Sequence, residues 1–136
     1  GSQEERDYRY WLHFSEGSLM PPLLLRLIFH RVKKASVPFF VKPIAKAIAN
    51  KVLSEFVNPN VKCLLDFIEA SLEGKQWLLG DQLSGADIQM SYPLEASVAS
   101  GLIDDHYPDI QSYVERIHQQ PAYQAALLKG GKYDYA

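Results

Sequence analysis

The stretch Gly80–Ala96, GDQLSGADIQMSYPLEA, decides how this chain folds. Ser84 and Asp87 stand at the mouth of a segment that is otherwise nearly all apolar. With Ser84 at the N-cap, its hydroxyl and the Asp87 carboxylate can each take a backbone N–H of the first turn. That is a capping box with Asp in place of the commoner Glu. Leu83 just before the cap and Ile88 at the fourth helical position are placed as a hydrophobic staple. The four residues therefore read as a structural start signal and not as catalytic groups. Beyond them Met90, Tyr92, Leu94, Ala96, Val98 and Ala99 point in every direction around a helix. A helix apolar all round belongs in the middle of a bundle.

Outward from this segment the apolar residues keep helical spacing, and no window alternates long enough for a strand. A first helix from Gln3 carries Tyr8, Trp11 and Leu12. Gly17-Ser18 interrupts it, Ser18 caps a second piece, and Pro21-Pro22 fit only a first turn, so a kink is expected between Gly17 and Pro22. The second piece has Leu23, Leu24, Leu27, Ile28 and Val32 as its inner stripe. After Pro38, the residues Val41, Ile44, Ala45, Ile48, Val52 and Phe56 form another. Asn58-Pro59 reads as an N-cap and first helical residue, followed by Val61, Leu64, Leu65, Ile68 and Leu72, with Gly74 as the terminator. Helices from Pro108 and Pro121 follow, the last reaching Leu128. The fold class is all-α, five to seven helices around a buried central helix that starts at Ser84.

Composition bounds the function. The 136 residues suit one domain; 47% are hydrophobic, 22% are charged, and the net charge is −2. Nothing there draws the chain to nucleic acid or to a membrane surface. No apolar run reaches the roughly 18 residues of a span. The single cysteine, Cys63, excludes an intrachain disulfide and reads as an inert, half-buried thiol. His30, His106 and His118 lack metal-ligand spacing, so no metal is expected. Glu95, inside the apolar helix, needs a buried partner, for which Arg116 or a backbone group is available. Gly1-Ser2 reads as a cleavage remnant, residues 3–128 as the helical domain and 129–136 as a tail.

Gly80-x-x-x-Ser84-x-Ala86-Asp87 resembles the capping box of the central helix in the C-terminal domain of cytosolic glutathione transferases. Tyr10-Trp11-Leu12-His13-Phe14-Ser15-Glu16-Gly17-Ser18-Leu19 resembles the first helix of that domain in bacterial and fungal members. Trp77-Leu78-Leu79-Gly80-Asp81, Tyr107-Pro108 and Gln120-Pro121-Ala122-Tyr123 resemble further family segments, in the family's order. The resemblance implies a helical half whose thioredoxin-like partner domain, which supplies the catalytic residue and most of the glutathione site, is absent here. It implies glutathione as co-substrate, an apolar electrophile as second substrate, a homodimer and a cytoplasmic location. It also implies a substrate-binding role for Tyr10, His13, Phe14, Gly17 and Met20, and no catalytic residue in this half. Tyr8, Trp11 and Trp77 are expected to be uncovered by the missing domain. Similar domains also serve as non-catalytic interaction modules in multiprotein complexes, which is the alternative.

Overall fold

A computed structural model describes residues 1–135, and they are helical with no strand among them. Two long rods open the chain. The first runs through α1 (Gln3–Phe14), a π-helical turn (Ser15–Leu19) and α2 (Met20–Lys33). The second runs through α3 (Lys42–Val52), a π-helical turn (Leu53–Val57) and α4 (Asn58–Leu72). Then follow α5 (Gly85–Ala99), α6 (Pro108–His118) and α7 (Pro121–Gly130).

The rods depart from the sequence reading in one consistent way. Neither breaks where its prolines stand. Ser18 is not an N-cap and Asn58 is not one either; Asn58 has helical torsions, φ −64 and ψ −41. Each rod instead widens into a π-turn directly ahead of its prolines, Pro21-Pro22 or Pro59. The wider turn tolerates the missing N–H groups and keeps the axis continuous. The last helix also runs two residues beyond Leu128, to Gly130, before Gly131 at φ +80 ends it. Ser2 caps α1, accepting the Glu5 N–H at 3.1 Å.

The core gathers Leu19, Val57, Val61, Leu65, Ile68 and Leu72 from the rods, Met90 and Leu94 from α5, and Ile110 and Tyr113 from α6. The α4 and α6 stripes thus face inward as their spacing implies. The α2 and α3 stripes do not. Leu24, Leu27 and Ile28 are exposed, as are Ile44, Ile48 and Phe56. Their neighbours Leu23, Leu25, Phe29 and Val52 meet the core, while Ala49 and Leu53 are buried. Small alanines let α3 lie close against α2, which turns the larger α3 residues outward. The α5 helix is the most enclosed, yet Ile88 and Tyr92 remain open on one flank.

Pro93 sits inside α5 and is buried. It has no N–H for the Gln89 carbonyl one turn back. The Ser15 hydroxyl, fully buried in the first π-turn, donates to that carbonyl at 3.1 Å. Beside it Gln89 donates to Glu16 at 2.6 Å. The π-turn of the first rod is thereby pinned to the centre of α5.

Candidate functional site

The start of α5 is the most densely bonded point in the protein. Asp87 is fully buried. Its Oδ2 accepts the Ser84 N–H at 2.8 Å and the Ser84 hydroxyl at 2.8 Å, within a capping box. Its Oδ1 accepts the Leu78 N–H at 2.9 Å and the Tyr113 hydroxyl at 3.1 Å. One carboxylate thus joins the Trp77–Gly80 turn, the α5 terminus and α6. Gly80 adopts φ +122, which closes that turn through the paired bonds between Trp77 and Gly80. Burial, together with the adjacent Asp87 charge, pushes the Tyr113 phenol far above its ordinary pKa. Leu83 and Ile88 are exposed, at 44% and 66%. All four residues of the cap do structural work; nothing at them opens to a substrate.

The α1 flank is different. Tyr10, His13 and Gly17 lie exposed on it and Met20 is half-buried. A Cβ at Gly17 would meet nothing within 4 Å, so packing does not demand glycine there and the notch is open. Phe14 is only 6% exposed and belongs to the core. It backs Tyr10, with ring centroids 5.8 Å apart, and touches Phe67 at 5.4 Å. Phe67 of α4 also stacks on Trp11 at 5.6 Å and meets Tyr10 edge-on at 6.3 Å. The structure therefore brings Tyr10, His13 and Gly17 to one surface and supports it from behind with Phe14, Trp11 and Phe67. The sequence reading did not include Phe67. The signal was present: an aromatic off the Val61–Leu65–Ile68–Leu72 stripe, on a side of α4 that is otherwise polar.

Several expectations change. Trp11 and Trp77 are buried, at 6% and 5%, and are not an uncovered patch. Glu95 is buried but does not pair with Arg116. It accepts from His118 Nε2 at 2.9 Å and from the Tyr133 hydroxyl at 2.9 Å, tying the segment after α7 to α5. Tyr133 lies in the expected tail 129–136; of that tail, Ala136 falls outside the described residues. Arg116 donates instead to the Gln76 carbonyl at 2.6 Å and lies over the Trp77 ring. Cys63 is exposed.

A helical domain with this order of elements, a capped and enclosed α5 and an aromatic flank on its first helix matches one family. The model of the glutathione S-transferase C-terminal domain covers residues 30–121. Glutathione S-transferase 1 of Saccharomyces cerevisiae is 33% identical over 122 residues, 88% of this chain and 52% of that protein. Glutathione S-transferase 3 of Schizosaccharomyces pombe is 28% identical over 126 residues, 93% of this chain and 52% of that protein. A crystal structure of a glutathione S-transferase from Actinobacillus pleuropneumoniae superposes with a TM-score of 0.68 at 29% identity, covering 98% of this chain and 54% of that one. The chain belongs to the glutathione S-transferase family and corresponds to its C-terminal domain. It spans about half the length of the relatives it matches.

Proposed function

We propose that this chain is the substrate-side half of a glutathione transferase. Glutathione and the activated thiolate belong to a thioredoxin-type half, where a lowered thiol pKa makes the nucleophile. The helical half receives an apolar electrophile, or a peroxide or disulfide to be reduced, against the α1 flank. One observation carries this reading: the open notch at Gly17 beside Tyr10 and His13, on a rigid aromatic backing. A flat, amphipathic acceptor suits a wall of aromatic rings with few polar groups. The protein works in the cytoplasm as a homodimer and uses no metal. The dimer reading is supported by exposed apolar side chains on and beside α2 and α3, among them Phe39, Phe40 and Ile44 at 87%, 65% and 61%.

The test is glutathione conjugation of an aryl halide by a two-domain protein containing this half, compared with the half alone. The half alone should be inactive. Gly17→Leu in the two-domain protein should raise KM for the electrophile about tenfold and leave KM for glutathione within about twofold, since filling a notch removes acceptor contacts only. Equal KM values for the electrophile in both proteins would refute the assignment of the flank. A two-domain protein that neither binds immobilised glutathione nor turns over, while retaining macromolecular partners, would point to an interaction module instead.

A further inference from the structure

We propose that the groove bounded by α2, the start of α4 and the α5–α6 loop is a second binding site, apart from the α1 flank, for a monocarboxylate carried on an apolar body. The groove encloses about 860 Å3, within the range of small-molecule sites. Its apolar walls come from Pro59, Leu65, Leu102 and the Tyr107 ring. Its charged groups are the reason for the assignment. Lys62 is paired with Asp66 at 2.6 Å, and the second Asp66 oxygen accepts the Tyr107 hydroxyl at 3.1 Å. Asp104 accepts the His106 N–H at 3.0 Å and lies 2.9 Å from the His106 ring nitrogen. Each carboxylate in the groove is thus already satisfied by a neighbour.

Arg26 is not. Its Nε is buried and has no hydrogen-bond partner, and no carboxylate lies within ion-pair distance of its guanidinium among the described residues. A buried donor without an acceptor is costly, and an arginine fork matches a carboxylate in two parallel bonds. The ligand that relieves Arg26 therefore brings an oxyanion to α2 and lays its apolar part toward Leu65 and Leu102. Asp66 and Asp104 set the charge limit. A phosphate monoester would place two negative charges beside two carboxylates with a single unpaired cation to meet them, whereas a carboxylate brings one.

The experiment titrates the chain with octanoate, octanol and octyl phosphate by calorimetry, with amide chemical shifts locating the contact. Octanoate should saturate one site, shift Leu65, Leu102 and Tyr107, and bind at least about tenfold more tightly than octanol or octyl phosphate. Arg26→Met keeps the apolar stem and removes the fork; it should bring octanoate down to the octanol affinity. Ser54→Glu, at an exposed position on the groove wall, supplies an internal carboxylate and should weaken octanoate at least about tenfold without altering octanol binding. It carries the test should Arg26→Met fail to fold by circular dichroism. The proposal is overturned by octanoate binding that survives either folded variant, by binding that Gly17→Leu abolishes instead, by octyl phosphate binding as tightly as octanoate, or by the absence of saturable octanoate binding.

Discussion

Replacing Asp87 removes the acceptor of four hydrogen bonds at once. In Asp87→Ala the Leu78 N–H and the Tyr113 hydroxyl stay buried without their carboxylate. Each orphaned donor costs about 1–3 kcal/mol, and loss of the α5 cap adds about 1 kcal/mol. The expected destabilisation is about 3–6 kcal/mol, a large share of the roughly 5–15 kcal/mol that holds a domain together. At about 4 °C per kcal/mol for a domain of this size, the melting midpoint should fall by roughly 12–24 °C. Asp87→Asn sharpens the test. One carboxylate oxygen faces the Leu78 N–H and the other faces the Ser84 N–H. Either orientation of an amide turns its NH2 toward a backbone N–H, so the isosteric asparagine should lose most of what alanine loses. Ser84→Ala leaves the Ser84 N–H bond to Asp87 in place and should cost only about 1 kcal/mol. Thermal unfolding followed at 222 nm measures all three. A near-native midpoint for Asp87→Asn, or equal shifts for Asp87→Ala and Ser84→Ala, would refute the view that this carboxylate organises three elements.

Three further outcomes are expected. Ser15→Ala orphans the Gln89 carbonyl and should cost about 1–2 kcal/mol, but much less when Pro93→Ala restores an N–H to that carbonyl; additive effects in chemical denaturation would exclude the coupling. Gly85→Ala should destabilise the protein by about 1–3 kcal/mol, although alanine is the better helix former. Its Cβ would lie 2.6 Å from the Tyr8 hydroxyl, and Tyr8→Phe should recover most of the loss; a stabilised Gly85→Ala would show that Tyr8 moves freely aside. Alkaline titration should find tyrosines ionising late among the eight. Burial first, then the Asp66 bond, pushes Tyr107 up to about 12. Burial, with the Glu95 carboxylate, raises Tyr123 and Tyr133 as well. The folded state favours the protonated phenols, so their contribution is intact below pH 10, the ordinary tyrosine value, and is lost as pH rises toward 12 and beyond. Phenolate absorbance at 295 nm that rises for all eight near pH 10 with the fold intact would contradict this.

What could be read from the sequence was what lies within one turn or one face. Ser84 and Asp87 are three residues apart, so the α5 cap closes within a single helical turn, and the α4 and α6 stripes declare their buried sides by spacing alone. The family order of the segments, and with it the all-α fold, follows from such local signals. The same local logic misled at the prolines. Pro21 and Pro59 read as helix starts, whereas packing along each full rod favours a π-turn over a break. For the candidate site, spacing proposed Tyr10, His13 and Gly17 as one set, and they share an exposed flank; it could not separate buried Phe14 from them or add Phe67.

Tertiary structure alone decided the long-range partners. The N-terminus of α6 is capped by Glu69 of α4, whose two oxygens accept the Asp109 and Ile110 N–H groups at 2.8 and 2.9 Å across forty residues of chain. Glu95 takes His118 and Tyr133, not Arg116, and Ser15 serves the carbonyl that Pro93 leaves empty. A side chain's hydrogen-bonding need is written in its own chemistry, and a cap three residues away can be found from spacing. Which distant group meets that need depends on how whole helices pack, and that is settled by burying the apolar stripes together.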